Sequence, residues 1–347
     1  MKSIKIKILN YDPTDKFSFG AFLFSILSKK YTVEFSDKPD YLFYTESTPE
    51  HLAHDCVKIF FTGENISPDF NFCDYAIGFD YMTFQDRYYR LPLYLIAQFY
   101  SDKEIALMPD PTDFTMQPPF TQEDLAKKTG FCSFVYSNYM GDSAREEFFY
   151  KLGAYKKVSS GGKYLNNVGG PVDNKLSFEL GHKFSIAFEN SSRSGYTTEK
   201  LVNSLVARTI PIYWGNPDVG LEFNEQRFIN CHACANFDTV VERIKEIDAD
   251  DDLYLQIINE PIASKYDFKE ALSGFEKFLS HILDQDISSA KRRSINPARE
   301  RGMVRGARIA AASEKWTARL KRSAASLYKP FKKVGFMERI KHKILRR

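Results

Sequence analysis

The chain has 347 residues, of which 43% are hydrophobic and 27% are charged, and its formal net charge is +3. This length and hydrophobic content exclude an intrinsically disordered protein and are sufficient for two domains with buried cores. No apolar run reaches the about 18 residues that span a bilayer, and the five cysteines are scattered rather than arranged as a disulfide framework. We therefore expect a globular protein of a reducing compartment, either cytoplasmic or peripheral on the inner face of a membrane.

The first part of the chain predicts strands that alternate with helices. Residues 4–9 alternate apolar and charged side chains with the period of a strand, and residues 19–29 carry an apolar helical face. Three further short strands are expected at residues 31–36, 41–44 and 57–61. Such alternation is typical of βαβ units, whose strands form a parallel sheet.

A proline-rich stretch, residues 108–119, interrupts this pattern and indicates a linker. A second series of strands and helices is then expected at residues 131–137, 143–152, 183–188, 199–207 and 209–214. The pattern predicts an α/β protein with two Rossmann-like domains that face each other across a cleft. The predicted boundaries are 1–128 and 129–288, followed by a basic tail at 289–347.

A polar cluster stands between two apolar runs in FENSSRSGYTTEKLVNSLVARTIPIYWGNP, residues 188–217. The pattern predicts a strand, a turn, a helix capped by Thr197 or Thr198, and a second strand. A helix N-terminus at the carboxyl end of a strand suits an anion such as diphosphate. Because a lysine is unfavourable beside the positive end of the helix dipole, Lys200 favours an anionic ligand there, with structural capping as the alternative. Glu199 either complements the dipole or accepts the paired hydroxyls of a ribose.

Two further motifs have the composition of metal sites but not the required context. Cys231 and Cys234 lack a second pair at zinc-site spacing, so we interpret them as buried cysteines at a strand end. Asp248 and Asp250 fit the DxD pattern by which many enzymes that use nucleotide-sugars bind a divalent metal and a nucleotide diphosphate. No apolar strand precedes them, so we interpret them as an acidic loop that caps a helix. His182 is expected to be structural.

The end of the chain is strongly basic. From Lys291 to Arg347 there are 19 Lys and Arg against 3 Glu and no Asp, so the preceding body is acidic. Apolar residues recur at steps of three or four, at Ile309, Ala312, Trp316, Leu320, Ala324, Leu327 and Phe331. The pattern predicts a basic amphipathic helix, interrupted at Pro330, that binds the surface of an anionic membrane. A helix folded back on the acidic body and a nucleic-acid-binding arm are the alternatives.

The polar cluster and three other blocks also carry a family resemblance. KFSIAFENSSRSGYTTEKLVNSLVARTIPIYWG resembles the signature of the α-1,3-fucosyltransferases, the family that includes the enzymes forming Lewis antigens. FFTGENISPDFNFCDYAIGFD (60–80) with DRYYRLPLY (86–94), and FVYSN with AREEFFYKL (134–152), are similar to further blocks of the family. The matches lie in order over residues 58–217, which makes the resemblance specific.

The resemblance implies a GT-B type, inverting transferase that uses GDP-fucose as donor and needs neither a metal nor a cofactor. It implies an acceptor-side N-terminal domain and a GDP-fucose-binding second domain. Glu64 would be the general base. Arg145 and Lys200 would hold the diphosphate, with Asn190 and Tyr196 in polar contact with it, while Glu199 would take the ribose hydroxyls. Fixed cations and helix N–H groups agree with the charge that builds on a departing diphosphate.

Each of these residues also has a structural interpretation. Glu64 is alternatively a solvated turn residue, Arg145 an ordinary helix-surface arginine and Asn190 a turn former. Tyr196 and Trp214 are alternatively core aromatics, and for Trp214 this is the interpretation that we favour.

The acceptor and the cellular location follow from the resemblance less directly. Animal members carry an N-terminal membrane anchor, which is not found here, so we expect a bacterial enzyme that fucosylates the 3-hydroxyl of GlcNAc in lipopolysaccharide or a related lactosamine-type glycan. The partners would be GDP-fucose, that glycan and an anionic membrane, and no nucleic acid is expected. Two alternatives remain: a related transferase that uses another GDP-sugar, and a non-catalytic protein that binds glycans or membranes.

Overall fold

The computed structural model describes most of the chain, namely residues 1–9, 18–45, 49–99, 115, 117–306, 309, 310, 313 and 316. These residues form two units, Met1–Arg292 and Arg293–Arg347. The first unit contains both of the sheets described below. In the second unit, residues 297–306 are helical.

The first sheet has six parallel strands in the order β2-β1-β3-β4-β5-β6. They are β1 (Lys2–Ile8), β2 (Tyr31–Phe35), β3 (Tyr41–Tyr44), β4 (Val57–Phe61), β5 (Tyr75–Gly78) and β6 (Tyr88–Arg90). All residues of β3, β4 and β5 are buried, as expected for central strands that are covered on both faces. Helix α1 (Phe19–Leu27) connects β1 to β2 and begins at Ser18, whose hydroxyl accepts a hydrogen bond from the N–H of Ala21.

The second sheet has five parallel strands in the order β11-β10-β9-β7-β8. They are β7 (Gly130–Phe134), β8 (Val158–Ser160), β9 (His182–Phe188), β10 (Ile210–Trp214) and β11 (Ile229–Asn230). The α-helices that precede or connect them are α2 (Gln122–Ala126), α3 (Ala144–Gly153), α4 (Lys175–Leu180) and α5 (Glu199–Val206). Helices α6 (Phe237–Ala249), α7 (Asp251–Ile258), α8 (Phe268–Asp284) and α9 (Ile287–Ala290) follow the sheet.

Short 3₁₀ segments complete the connections. They lie at Pro49–Ala53, Leu93–Phe99, Val219–Leu221, Glu225–Arg227 and Cys231–Ala233. The segment Leu93–Phe99 contacts α1 and α5, so it lies between the two sheets.

One hydrophobic core joins the first sheet to elements from the second half of the chain. It combines buried residues of β1, β3 and β4 with Leu201, Val202 and Leu205 of α5. Helix α8 also packs into this core, where the ring of Phe275 stacks on that of Phe22 with a centroid distance of 5.8 Å. The predicted boundaries of 128 and 288 stay predictions, although the two sheets lie on either side of residue 128.

The α/β fold with two parallel sheets is confirmed, with shifts at the ends of several elements. The strand expected at 131–137 spans Gly130–Phe134, and the helix expected at 143–152 spans Ala144–Gly153. None of the helices that the structure describes is long and apolar enough to cross a bilayer. Of the predicted apolar stripe in the tail, only Ile309 and Trp316 are described, both exposed; the other five residues lie outside the described part of the chain.

Candidate functional site

The predicted donor cluster lies at the carboxyl end of β9. The last five residues of this strand, up to Phe188, are all buried, and α5 begins eleven residues later at Glu199. The main chain turns at Gly195, whose φ is +82° and whose added Cβ would lie 2.4 Å from the carbonyl oxygen of Phe79. A glycine is therefore required where the turn after β9 approaches the first sheet.

The residue before the first turn of α5 is held by Glu189, a residue that the sequence analysis did not select. Its carboxylate accepts hydrogen bonds from the N–H and the hydroxyl of Thr198, at 2.7 and 2.6 Å. Thr198 is the N-cap residue but makes no side-chain capping bond of its own. Because Glu189 is completely buried, its negative charge requires a cation nearby.

Lys200 supplies that cation. Its Nζ lies 3.3 Å from the Glu189 carboxylate, 3.0 Å from the Thr198 hydroxyl and 3.4 Å from the Glu199 carboxylate. Burial by itself would lower the pKa of Lys200, but Glu189 and Glu199 raise it well above its ordinary value. Burial alone would raise the pKa of Glu199, but Lys200 and Lys175 bring it below its ordinary range. Both side chains are therefore charged at neutral pH.

Arg145 is not a helix-surface arginine; that alternative interpretation is wrong. The residue is 1% exposed, and its guanidinium stacks on the ring of Tyr136 at 4.1 Å. Its Nη2 donates to the carbonyl oxygens of Phe188 and Glu189 at 3.2 and 3.0 Å, and to the Asn190 side chain at 3.0 Å. Its Nε is buried without a hydrogen-bond partner. The structure thus brings Arg145 and Asn190 together at the end of β9.

Tyr196 packs against the segment that follows β5. Its ring packs on that of Phe79 with a centroid distance of 5.0 Å, and only 2% of the residue is exposed. Burial raises the pKa of Tyr196, and the charges of Glu189 and Glu64 add to that rise. The geometry that brings this loop to the donor cluster is the hydrogen bond from Asn65, the residue after Glu64, to the Ser191 hydroxyl.

Glu64 is an exposed residue in the loop that follows β4. The loop is held locally, because the Thr62 hydroxyl accepts from the N–H of Glu64 at 3.0 Å and donates to its carbonyl oxygen at 3.1 Å. These bonds use the main chain of Glu64 and leave its carboxylate out of the network. The turn interpretation and a reactive carboxylate are therefore compatible for this residue.

Arg193 and Asn65 join the two loops across the gap between the sheets. Arg193 donates to the Asn65 side chain at 2.9 Å and also bonds to Ser67 and forms an ion pair with Asp80. Asn65 donates in turn to the Ser191 hydroxyl. The carboxyl ends of β4 and β9 therefore meet at one place, which is where a ligand binds in open α/β folds. No signal in the sequence pairs residues so far apart in the chain.

A second contact between the same sheets is buried. Arg90, at the end of β6, forms an ion pair with Glu222, which is 1% exposed. Its Nε donates to the Phe79 carbonyl oxygen at 2.8 Å, and its guanidinium lies 4.0 Å from the ring of Tyr81. Arg90 Nη2 also donates a longer hydrogen bond, of 3.5 Å, to the carbonyl oxygen of Gly195. These contacts hold the side of the cleft next to Gly195.

The remaining residues that the sequence analysis considered have contacts that explain them structurally. His182 Nδ1 lies 2.8 Å from the Phe178 carbonyl oxygen, and Trp214 packs between Phe188 and His232. Asp248 forms ion pairs with two lysines, and the Asp250 side chain caps α7, as the capping interpretation predicted. Within the described ranges, no group of three or more His, Cys, Asp or Glu side chains could hold a metal ion.

The arrangement combines three chemical features at one edge. A buried lysine and the N-terminus of α5 provide positive potential, the arginine on α3 supports the strand end beneath them, and a solvated carboxylate stands across the gap. Positive potential stabilises a leaving anion, and a carboxylate removes a proton from an attacking hydroxyl. Such an arrangement is suited to group transfer from an anionic donor.

Two family models match the chain. Residues 8–97 match the N-terminal domain of the α-(1,3)-fucosyltransferase FucT, and residues 125–259 match the C-terminal region of glycosyltransferase family 10, the fucosyltransferases. The chain is 33% identical to the α-(1,3)-fucosyltransferase FucT of Helicobacter pylori over 82% of its own length. It is 35% identical to the α-(1,3)-fucosyltransferase 4 of Bos taurus over 35% of its length. The chain spans 66% of the bacterial relative and 30% of the bovine one.

Solved structures of an α1,3-fucosyltransferase are also similar. One superposes with a TM-score of 0.66 at 31% identity and covers 80% of this chain and 90% of that one. Another, a complex with GDP-fucose, has a TM-score of 0.64 at 29% identity and covers 83% of this chain and 93% of that one. The similarity therefore extends over most of this chain and nearly all of the solved ones.

Proposed function

The chain belongs to glycosyltransferase family 10, the fucosyltransferases with the GT-B fold, and on that premise we propose that it transfers L-fucose from GDP-fucose to the 3-hydroxyl of a GlcNAc residue in a lactosamine-type glycan. The observation that carries the proposal is the buried Lys200–Glu189 pair at the start of α5, opposite the loop of Glu64. The donor binds at this cluster, and the acceptor approaches from the side of the first sheet.

Donor binding uses the positive end of the cluster. Lys200 and the first N–H groups of α5 contact the diphosphate, and the ionised Glu199 accepts hydrogen bonds from the ribose hydroxyls. Arg145 contributes its charge and its unpartnered Nε, while Asn190 and Tyr196 complete the polar wall. Because the cations are already fixed, little reorganisation accompanies the departure of the negatively charged GDP.

Transfer proceeds with inversion at the fucosyl carbon. The Glu64 carboxylate removes the proton from the acceptor hydroxyl as that oxygen attacks the anomeric carbon and the bond to GDP breaks. The fucosyl ring carries oxocarbenium character while both bonds are partial. The exposed position of Glu64 supports this role, because an acceptor sugar can reach the carboxylate from solvent.

Fixed side chains take the place of a divalent metal in this proposal. In metal-dependent transferases the ion neutralises the diphosphate, and here the lysine, the arginine and the helix N-terminus supply that positive charge. The reaction therefore proceeds without a metal or another cofactor.

Transfer of radiolabelled fucose from GDP-fucose to N-acetyllactosamine in the presence of EDTA tests the function directly. We expect activity in EDTA equal to that measured with added magnesium. Activity restored only by a divalent ion would contradict the metal-independent mechanism. Two further measurements test the alternatives. If another GDP-sugar outcompetes GDP-fucose, the protein is a related transferase. If GDP does not raise the melting temperature of the protein, a non-catalytic protein is favoured.

We propose in addition that the basic tail holds the enzyme on the inner face of a bacterial cytoplasmic membrane. The support is the excess of Lys and Arg over Glu from Lys291 to Arg347. Removing these residues is expected to abolish sedimentation with vesicles containing anionic lipid and to leave transfer to a soluble acceptor unchanged. Equal sedimentation of the shortened and full chains would refute the proposal.

A further inference from the structure

Three cations lie at the opposite edge of the second sheet, far from the donor cluster. Lys128, Arg208 and Arg227 each stand two residues before the first residue of a strand, which is β7, β10 and β11 respectively. Because these strands are parallel, the three residues come to the same amino-terminal edge. The donor cluster follows the carboxyl ends of β9 and β10, so the sheet separates the two regions.

The two arginines are bonded to backbone oxygens and have unused donors. Arg208 Nη2 donates to the Pro118 carbonyl oxygen at 2.6 Å, and Arg227 Nη1 donates to that of Thr209 at 3.1 Å. The Nε of Arg208 and the Nη2 of Arg227 are buried and have no hydrogen-bond partner. Arg227 is only 1% exposed, and an unpaired donor at such depth is costly unless a ligand satisfies it.

The third cation is close enough to repel the other two. Lys128 Nζ donates to the carbonyl oxygens of Leu180 and Ala207 at 2.9 and 3.2 Å. Burial lowers the pKa of Lys128 to about 7, and the charges of Arg208 and Arg227 contribute to that shift. None of the three cations forms an ion pair with another residue in the described part of the chain. The cluster therefore brings together three basic side chains that have no carboxylate in direct contact among the described residues, while the charges of Asp124 and Glu179 act on Lys128 from a greater distance.

A cavity of about 260 Å³ opens beside the two arginines. Apolar walls come from prolines, and polar atoms come from Gln117, Asn259 and Glu260 as well as from the arginines. Glu260 is the carboxylate among these lining residues, and its Oε2 accepts from the Asn224 side chain at 3.4 Å. The volume is below the about 300 to 1,000 Å³ of typical small-molecule pockets, which limits the ligand to a small group, and the two arginines favour an anion.

We propose that this cavity binds a small phosphate group, either inorganic phosphate or a short phosphate monoester, through Arg208 and Arg227. The two unpartnered guanidinium donors point to an acceptor with several oxygens, and arginine is suited to phosphate because its planar group offers several N–H donors. Lys128 adds charge to the site. The negative charge of Glu260 opposes anion binding. Removing that charge should therefore strengthen phosphate binding, whereas removing a cation should weaken it.

Isothermal titration with inorganic phosphate at constant ionic strength tests the proposal. Arg208→Gln is expected to weaken phosphate binding by about tenfold or more, because it removes one charged donor. Glu260→Gln is expected to strengthen binding by a few-fold, because it removes the opposing charge. Lys128→Gln provides a second variant with weaker binding, should Arg208→Gln fail to fold.

Two further titrations identify the ligand and show whether the site is separate from the donor cluster. Titration with glycerol phosphate distinguishes a monoester site from a site for the free ion. Tighter binding of glycerol phosphate than of inorganic phosphate indicates a monoester site, and the reverse order indicates a site for the free ion. Saturating GDP occupies the donor cluster, and phosphate binding that persists in its presence supports a separate site. Wild-type protein that does not bind phosphate, binding unchanged in Arg208→Gln and Lys128→Gln, or binding abolished by GDP would overturn the proposal.

Discussion

Replacing Lys200 with alanine is expected to lower fucosyl transfer by about 100-fold or more and the free energy of unfolding at neutral pH by about 3 kcal/mol. Transfer falls because Lys200 is the buried cation proposed to face the departing diphosphate. Stability falls because the completely buried Glu189 loses its ion-pair partner. Steady-state transfer assays and urea unfolding measure the two losses separately.

The stability loss depends on pH in a direction fixed by Glu189. Burial raises the pKa of Glu189 above its ordinary value, and Lys200 opposes that rise. Without Lys200 the pKa rises further, so the folded variant binds this proton more tightly than the unfolded chain does. The contribution of Glu189 to the stability of the variant is therefore greatest at acidic pH and is lost as the pH rises through the folded pKa. Urea unfolding at about pH 5 and about pH 8 should show the larger deficit at the higher pH.

A second substitution separates the two roles of the lysine. In Lys200→Ala/Glu189→Gln, the buried charge is absent and the amide still offers an acceptor to Thr198, so stability should recover while transfer stays low. Lys245→Ala, which removes an exposed lysine paired with Glu242 on α6, is the matched control and should change neither property. Recovery of transfer in the double variant would mean that Lys200 acts only through stability.

The elements that the sequence predicted best have long or continuous apolar patterns. Strands β4 and β10 are almost entirely apolar and buried, and the last five residues of β9 are buried with one serine among them, which marks the centre of a parallel sheet. Strands β5 and β6 were not predicted, because they are as short as β3 but lack its unbroken run of large apolar side chains, and pairing with neighbouring strands stabilises them. Their position in the sheet is a property of the assembled fold.

Contacts between residues far apart in the chain could not be predicted from the sequence pattern. The apolar face of α8 marks a helix, but the pattern does not indicate that Phe275 packs on Phe22 of the first sheet's α1. Likewise, Arg145 belongs to a charged first turn and is nevertheless buried, since it bonds to the end of β9. Gly141 leaves room for it, because a Cβ there would lie 2.5 Å from Arg145 Nη1.

Glu189 and Lys200 illustrate the same limit within the site. The sequence identified Lys200 as a charge in an unfavourable position near the helix N-terminus and inferred a ligand anion. The structure provides a protein anion as well, because Glu189 reaches the same lysine from the strand end. A carboxylate immediately after a buried apolar strand is a signal that could have identified it. The pair explains how the cation is kept in place between reaction cycles.

Glu64→Gln should have an effect complementary to that of Lys200→Ala. Transfer should fall by about 100-fold to 10,000-fold, because glutamine cannot accept the proton of the acceptor hydroxyl. Stability should be nearly unchanged, because the hydrogen bonds with the Thr62 hydroxyl use the main chain of Glu64 and the side chain of Glu64 is exposed. Initial-rate assays at saturating GDP-fucose, together with thermal unfolding, measure both outcomes.

GDP affinity distinguishes loss of the base from loss of the donor site. Glu64→Gln should keep the GDP affinity of the wild type, whereas Lys200→Ala/Glu189→Gln should lose it. Glu34→Gln, on exposed strand β2, is the matched control and should keep full transfer. Full transfer by Glu64→Gln would instead require another carboxylate, and Asp80 is already engaged in an ion pair with Arg193 and a hydrogen bond with Ser67. The exposed position of Glu64, in the loop that meets the turn after β9, therefore makes it the stronger candidate for the base.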